Sequence, residues 1–293
     1  MPKCGYIAIA GRPNVGKSTL LNALIGQKIS ITCNKPETTR HQILGIKTAG
    51  DTQMVFIDTP GIHSKKPKAL HRYLNKAALS TLPNVDLILW IMEVHETEDD
   101  QFVAARLMDI RIPVIIVLNK IDRCKDKNRL LPIIETLQHK YPHFPLVPVS
   151  AEHEQNLDEL CRLIQRYLPE QAFIFAKDEL TDKSLRFMAA EIIREKLMRY
   201  LGAELPYATS VQIDLFKETE AITEIAATIY IERASQKPIV IGARGAKLKK
   251  IGQDARFDLE RLLERKVMLH LWVKVKANWA DDAAALKSLG YSS

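Results

Sequence analysis

The chain has 293 residues and a net charge of +7, with 46% hydrophobic and 26% charged residues. This length suggests about two domains, each with room for a core. The apolar runs are of strand length and fall well short of the ~20 residues that a membrane span needs. The four cysteines lie far apart with no Cys-x-x-Cys pair, so we expect reduced thiols rather than a disulfide framework or a zinc site.

The first part of the chain alternates short apolar runs with amphipathic stretches. The predicted strands are 4–10, 43–49, 53–57, 85–92, 113–118 and 145–149. The predicted helices are 17–25, 69–82, 100–110, 128–140 and 156–167. Such alternation predicts an α/β domain with a mostly parallel six-stranded sheet covered by helices. Because ligands bind beyond the carboxyl ends of such strands, functional residues are expected in the loops that follow them.

The first of these loops reads G-x-x-x-x-G-K-S from Gly11 to Ser18, between a strand and a helix. Glycines let backbone N–H groups converge on phosphate oxygens, and the helix N-terminus favours the same anion. Lys17 would reach the β- and γ-phosphates, and the Ser18 hydroxyl would hold Mg²⁺. The predicted phosphate-binding residues are Gly11, Asn14, Val15, Gly16, Lys17, Ser18 and Thr19.

A second motif, D-x-x-G, follows the third strand. Asp58 at the end of a strand in such a sheet can hold Mg²⁺ through water. The backbone N–H of Gly61 can approach a γ-phosphate, so the loop can sense hydrolysis. The residues predicted for this second switch are Asp58, Thr59, Pro60, Gly61 and Ile62.

Two further motifs select the base. Asn119-Lys120-Ile121-Asp122 follows the strand at 113–118, and Ser150-Ala151 follows the strand at 145–149. The Asp122 carboxylate can accept hydrogen bonds from guanine N1–H and N2–H₂, a donor pair that adenine lacks. Asn119 would brace the loop, the Lys120 stem would lie across the base, and the Ala151 N–H would donate to guanine O6. The predicted guanine-binding residues are Asn119, Lys120, Asp122, Ser150 and Ala151.

With these motifs in order, the first 170 residues resemble the translation-factor-related class of P-loop GTPases. The resemblance implies a switch threonine in Lys35–Arg40; Thr39 is preferred as the Mg²⁺ ligand and Thr38 stays open. Where Ras-like enzymes carry a water-orienting Gln, this chain has Ile62, so we expect slow intrinsic hydrolysis. Asn14 is similar to the asparagine that helps bind K⁺ in some relatives, or it only stabilises its own loop.

A different pattern follows residue 170. The predicted ranges are a GTPase domain at 1–170, a linker at 171–182, a second domain at 183–276 and a tail at 277–293. The second domain is predicted as α+β in the order α-β-β-α-α-β. Its predicted elements are a helix at 184–201, strands at 208–216 and 222–232, a strand end at 238–242, helices at 245–252 and 254–264, and a strand at 267–275.

The second domain contains G-x-x-G at Gly242–Gly245, within a stretch, 233–253, that has six basic residues and no acidic one. This context and the element order resemble a type II KH domain, whose loop clamps about four nucleotides of single strand. RNA rather than DNA is the expected target by this resemblance. Trp279 and Tyr291 either stack on bases or pack the tail. The predicted RNA-binding residues are Ile241, Gly242, Ala243, Arg244, Gly245, Lys247 and Lys250.

Together, P-N-V-G-K-S, P-E-T-T-R, D-T-P-G-I and V-I-G-A-R-G resemble the Era family of bacterial GTPases over nearly the whole chain. The resemblance implies a monomer that binds GTP or GDP with Mg²⁺, and possible use of K⁺. It also implies binding near the 3′ end of small-subunit ribosomal RNA, a role in assembling that subunit, and a cytoplasmic location with some peripheral membrane association. Two alternatives remain open: a tRNA-modification GTPase, and a constitutive RNA-binding protein with a structural nucleotide.

Overall fold

The structure is a computed structural model that describes residues 1–35, 38–62, 69–124, 126, 128, 130–202, 204–282 and 286, with only the backbone of 69, 71 and 72. The chain divides into two compact units, the first within residues 1–182 apart from 68–70, and the second from residue 183 onward. The domain ranges inferred from the sequence stay predictions. Within the described residues, every helix is too short or too polar to cross a membrane.

A six-stranded sheet with the order β2-β3-β1-β4-β5-β6 forms the centre of the first unit. Its strands are β1 (Lys3–Ala10), β2 (Ile43–Ala49), β3 (Thr52–Asp58), β4 (Leu87–Met92), β5 (Val114–Leu118) and β6 (Leu146–Pro148). The helices are α1 (Lys17–Ile25), α2 (Ala69–Thr81), α3 (Glu98–Leu107), α4 (Leu130–Lys140) and α5 (Leu157–Tyr167). Only the β2–β3 pair is antiparallel, so the predicted mostly parallel α/β sheet is confirmed.

The central strands explain where the loops gather. Every residue of β4 and β5 is apolar and buried, as expected for strands covered on both faces. Trp90 on β4 is fully buried and meets Tyr141 edge-on, with ring centroids 5.0 Å apart. Parallel strands carry their carboxyl ends to one edge of the sheet, so the loops after β1, β4, β5 and β6 lie at that edge together with the end of β3.

The predicted linker, 171–182, packs along the first unit. The buried Gln53 side chain accepts hydrogen bonds from the Ile174 and Phe175 amides at 2.9 and 3.0 Å, and donates to the Phe175 carbonyl at 2.9 Å. Farther along, the Leu180 carbonyl accepts from the Ile46 amide of β2 at 2.9 Å. Side-chain and backbone hydrogen bonds therefore hold this segment against β2 and β3.

The second unit has the element order α-β-β-α-α-β. Its elements are α6 (Leu185–Tyr200), β7 (Thr209–Glu218), β8 (Ile222–Ile231), α7 (Lys237–Ile241), α8 (Ala246–Leu263) and β9 (Lys266–Val275). The sheet order is β7-β8-β9, with β7 antiparallel and β9 parallel to β8. Alternate residues of the strands pack with α6, α7 and α8 around one core that includes Ile193, Ile229 and Val240. The predicted α+β order is confirmed.

Two elements around the G-x-x-G loop differ from the sequence prediction. Lys237–Ile241 is a short helix, not a strand end, and Ala246–Leu263 is one continuous helix, not two. The β-branched run favours a strand locally, but Pro238 fits the first turn of a helix and Val240 is fully buried in the core. Gly252 does not break α8; an added Cβ there would make only ordinary contact with Leu271 of β9, at 3.4 Å from Cδ1.

The tail has only a partial description. Trp279 is fully buried, and its Nε1–H donates to the Ala208 carbonyl at 3.2 Å, so it packs rather than offering a stacking surface. Tyr291 lies outside the described residues.

Candidate functional site

The G-x-x-x-x-G-K-S loop leaves β1 and enters α1. Gly16 has φ 99°, and a Cβ there would lie 2.4 Å from Asn119 Nδ2, so only glycine fits. The buried Lys17 ammonium donates to the carbonyls of Gly11 at 3.1 Å and Arg12 at 2.9 Å. Burial lowers the pKa of Lys17 to about 8, which indicates a cation that lacks a full counter-charge.

The remaining predicted phosphate-loop residues surround this lysine. Val15 is buried and Thr19 is half-buried in the first turn of α1. Asn14 has φ 64° and donates its side-chain amide to the Asn34 carbonyl at 3.1 Å. Asn14 therefore connects the phosphate loop with the loop that carries the candidate switch threonines.

A cluster of oxygens lies at the start of α1. Asp58 Oδ2 accepts hydrogen bonds from Ser18 at 2.7 Å, Ser30 at 3.0 Å and Thr39 at 3.3 Å, and the Ser18 and Thr39 hydroxyls are 2.7 Å apart. Burial raises the pKa of Asp58 above its usual value despite these donors and Lys17. The three residues predicted as magnesium ligands therefore meet, and Ser30 joins them without any signal in the sequence.

The two candidate switch threonines point to different partners. The Thr39 hydroxyl lies in the Asp58 cluster, whereas the Thr38 hydroxyl donates to the Lys35 carbonyl at 2.7 Å. The geometry therefore favours Thr39 over Thr38 as the residue near a metal. Residues 36, 37 and 63–68 of the two switch loops lie outside the described part of the chain.

The oxygen cluster is chemically suited to Mg²⁺. Asp58 Oδ1 is buried and has no hydrogen-bond partner, so one carboxylate oxygen is left for a cation. Carboxylate and hydroxyl oxygens are the ligands that Mg²⁺ prefers, usually with waters and substrate phosphates. The residues present fit the ion that the sequence predicts.

The D-x-x-G loop packs tightly on the phosphate loop. The Thr59 hydroxyl donates to the Ile9 carbonyl at 2.8 Å, and a Cβ on Gly61 would lie 2.6 Å from Pro13 Cγ. Pro60 is also buried. Ile62 is fully buried in the hydrophobic core, and its N–H donates to the Gly11 carbonyl at 3.2 Å. Ile62 therefore anchors the loop and presents no polar group to a nucleotide.

The two base-recognition loops are joined by the Asn119 side chain. Its amide donates to the Val15 carbonyl at 2.9 Å, and its oxygen accepts from the Ala151 N–H at 3.0 Å. Ser150 donates to Asp122. The five predicted guanine-binding residues therefore come together, but a guanine O6 would have to share the Ala151 N–H with Asn119.

An ion-pair network that the motifs did not reveal connects these loops. Glu93, directly after β4, pairs with Arg12 of the phosphate loop at 3.0 Å and with Lys120, which also donates to the Asn14 carbonyl. Arg12 Nε donates to the buried Asp100 at 3.0 Å. Burial alone would raise the pKa of Glu93, but Lys120 and Arg12 hold it below its ordinary value. The position of Glu93 directly after β4 could have indicated a role at the site, because every other motif of the site also follows a strand.

The G-x-x-G loop of the second unit joins α7 to α8. Gly242 has φ 76° and ψ 172°, and Arg244 has φ 50° and ψ 28°. Arg244 is exposed and Lys247 half-buried at the start of α8, whose first turn carries no acidic residue. Ala243 is exposed, Ile241 half-buried, and Lys250 pairs with Asp254 at 2.9 Å. The seven residues predicted to bind RNA thus lie together at the end of α7, in the loop and in the basic first turns of α8.

Comparisons with known proteins match both units. A family described as 50S ribosome-binding GTPase matches residues 6–120, and a KH domain family matches residues 204–280. The chain is 51% identical over 290 residues to GTPase Era of Azotobacter vinelandii, covering 99% of this chain and 97% of that protein.

Solved structures agree over the full length. Era in complex with MgGDPNP and nucleotides 1506–1542 of 16S ribosomal RNA matches at TM-score 0.96 and 39% identity, covering 100% of both chains. A point variant of Aquifex aeolicus Era bound to GDP and aluminium fluoride matches at TM-score 0.95 and 39% identity, covering 99% of this chain and all of that one. These matches favour the Era family over the tRNA-modification alternative. The chain belongs to the Era family of GTPases.

Proposed function

We propose that this GTPase is a switch that binds single-stranded small-subunit ribosomal RNA near its 3′ end and acts in assembling that subunit. The observation that carries the proposal is the pairing, in one chain, of a guanine-nucleotide site with a basic G-x-x-G loop at the start of α8. Family membership supports it, since the solved relative holds both MgGDPNP and 16S ribosomal RNA.

Crosslinking to RNA in the GTP-analogue and GDP states, followed by sequencing of the bound fragments, tests this proposal. We expect fragments from the 3′ end of small-subunit ribosomal RNA, with a yield that depends on the nucleotide. Crosslinks scattered over unrelated RNA would contradict it. GTP turnover that RNA stimulates would count against the alternative of a purely structural nucleotide.

Mg²⁺ is proposed at Ser18, Thr39 and Asp58. The ion would neutralise charge that develops on the phosphates. Lys17 would donate to phosphate oxygens and exchange its contacts with the loop carbonyls for them. The backbone N–H groups at the start of α1 would orient the same phosphates. Supporting observations are the shared hydrogen bonds of the three side chains and the unpartnered Asp58 Oδ1.

Slow intrinsic hydrolysis is proposed because Ile62 is buried and cannot orient water. Water would then be held by backbone groups, another residue or a partner. K⁺ at Asn14 is proposed as an added positive charge at the phosphates, supported by the contact of Asn14 with the Asn34 carbonyl. Turnover measured in K⁺ and Na⁺ buffers at equal ionic strength tests this; equal rates would refute the K⁺ role.

Location and assembly state are proposed from family membership. We propose a cytoplasmic monomer with some peripheral association with the inner membrane, and no binding of DNA. Cell fractionation at low and high salt tests the association, because peripheral contacts through charge weaken as salt rises. Recovery only with detergent would contradict it.

A further inference from the structure

The edge strand β9 carries a row of side chains that the G-x-x-G loop does not use. Its odd-numbered residues Val267 and Val273 face the core, so the alternate residues lie on the other face of the sheet. We call these outer residues the outer strip: Lys266, Met268, His270, Trp272 and Lys274. At about 3.3 Å per residue the outer strip is about 27 Å long.

We propose that the outer strip is a second binding surface for single-stranded RNA, on which bases stack as the RNA continues beyond the G-x-x-G loop. The proposal extends the proposed function and rests on it. The outer strip presents stacking rings between two cations, a combination that recurs in proteins that bind single strands with little sequence preference.

The aromatic part of the outer strip is exposed and ordered for stacking. Trp272 is 49% exposed, and its ring stacks on that of His270 with centroids 5.9 Å apart and planes 27° apart. Their neighbours on β8, Ala226 and Thr228, are small and buried. The two rings therefore stand above the sheet, and one face of the pair can take a base.

The charge of β9 favours a polyanion. From Lys266 to Lys276 the chain has no acidic residue. Lys266 and Lys274 are exposed, and neither forms an ion pair within the described part of the chain. Two acids lie on the same face: Glu224 on β8, opposite Met268, and Asp214 on β7, which accepts a hydrogen bond from Thr228, the β8 partner of Trp272. The cations at both ends can therefore meet phosphates on either side of the stacked rings.

The outer strip is separated from the proposed RNA loop by the edge of the sheet. Helices α7 and α8, which flank the G-x-x-G loop, pack on the core-facing side of β9, opposite the outer strip. β9 ends the sheet, with β8 as its hydrogen-bonded neighbour. RNA that leaves the loop therefore reaches the outer strip by passing around this edge strand.

Tryptophan fluorescence reads the outer strip directly. The chain has three tryptophans, and Trp90 and Trp279 are fully buried, so acrylamide quenching reports mainly on Trp272. The probes are four-nucleotide and twelve-nucleotide segments of the RNA fragment that the solved relative holds, the longer ones extended in the 5′ or the 3′ direction. We expect a longer segment to protect Trp272 and a four-nucleotide segment, which fills only the loop, to leave it exposed.

Substitutions measure the binding contribution. We expect Trp272→Ala to weaken binding of the longer segment about tenfold, leaving the short segment unchanged, and Trp272→Phe to retain most of the affinity. Lys274→Glu should weaken binding of the longer segment and make its affinity depend less steeply on salt concentration. Lys217→Glu is the matched control, because it makes the same charge change on the outer face of β7, at the opposite edge of the sheet. Unchanged binding of the four-nucleotide segment verifies the fold of the second unit in each variant.

Three results would overturn the proposal. The first is equal affinity of wild type and Trp272→Ala for the longer segments. The second is no protection of Trp272 by either extension while the short segment still binds, which leaves the proposed function intact. The third is a photocrosslinker at position 272 that joins ribosomal protein rather than RNA in purified small subunits. Failure of all segments to bind the wild type would instead contradict the proposed function, and this proposal with it.

Discussion

Two buried groups of the nucleotide site, Lys17 and Asp58, have pKa values shifted toward their uncharged forms. Burial lowers the pKa of Lys17 to about 8 and raises the pKa of Asp58. Both shifts disfavour the charged form in the absence of ligand. A nucleotide phosphate favours charged Lys17 and a magnesium ion favours charged Asp58, so ligand binding and proton binding are coupled at both residues.

Nucleotide affinity should therefore depend on pH with a defined sign. Above pH 8, Lys17 must take up a proton to bind phosphate, so affinity should fall by up to about tenfold per pH unit. Toward acid pH, Asp58 must lose a proton to bind Mg²⁺, so Mg²⁺-dependent affinity should fall there as well. Calorimetry at pH 8 in buffers of different ionisation enthalpy measures how many protons are taken up when nucleotide binds. Binding without proton uptake at that pH would contradict the assignment to Lys17.

Glu93 holds two loops through one carboxylate. We expect Glu93→Gln to weaken guanine-nucleotide binding about tenfold, because Arg12 and Lys120 lose a charged acceptor. Fluorescent GDP titration measures it. Glu98→Gln is the matched control, an exposed acid in the first turn of α3, and should bind within about twofold of wild type. Equal affinity of Glu93→Gln and wild type would show that the network is not needed for binding.

The two glycines of the G-x-x-G turn are required for different physical reasons. Gly242 lies in a region of backbone angles that essentially only glycine adopts, and a Cβ there would lie 2.7 Å from Lys247 Cβ. Gly245 has φ 78°, a left-handed conformation with open space around it.

Alanine should therefore have unequal effects at these two positions. We expect Gly245→Ala to cost about 1–2 kcal/mol of unfolding free energy and to retain RNA binding. Gly242→Ala should cost more and weaken RNA binding, since the start of α8 must move. Denaturant unfolding and RNA titration of both variants measure this difference. Equal losses would mean that the contact with Lys247 relaxes freely.

The segment 171–182 depends on one buried amide side chain. Gln53→Leu would leave the amides of Ile174 and Phe175 without their acceptor, so we expect a loss of about 3 kcal/mol and faster hydrogen exchange at both amides. Gln138→Leu, at an exposed position of α4, should change stability by less than about 0.5 kcal/mol. Unchanged exchange at residues 174 and 175 in Gln53→Leu would show that Gln53 does not hold the segment.

For the whole molecule, the proposed switch requires that RNA distinguishes the nucleotide states. If RNA binds the GTP-analogue state tighter than the GDP state by some factor, it must raise the preference for the analogue over GDP by the same factor. We expect this ratio of RNA affinities to be about five or more. Titrations of GDP and of the GTP analogue, each with and without RNA, measure it. Equal RNA affinity in the two states would remove the switch.

Local spacing was enough to identify the chemistry of the site. Loop residues such as Lys17, Asp58 and Asp122 follow strands, and the βα alternation predicts that these loops meet at one sheet edge. The mostly parallel sheet and the α-β-β-α-α-β order follow from hydrophobic periodicity, which reports on the face each segment buries.

Contacts between distant parts of the chain were decided only by tertiary structure. Thr38 and Thr39 are chemically identical neighbours, and only the fold brings Thr39 to Asp58. Glu93 and Arg12 lie 81 positions apart, so no local pattern connects them. The run 237–241 has strand propensity, yet burial of Val240 favours a helix. Local patterns record preferences of a few residues, whereas packing of the whole chain chooses among them, because burial contributes more free energy than intrinsic propensity.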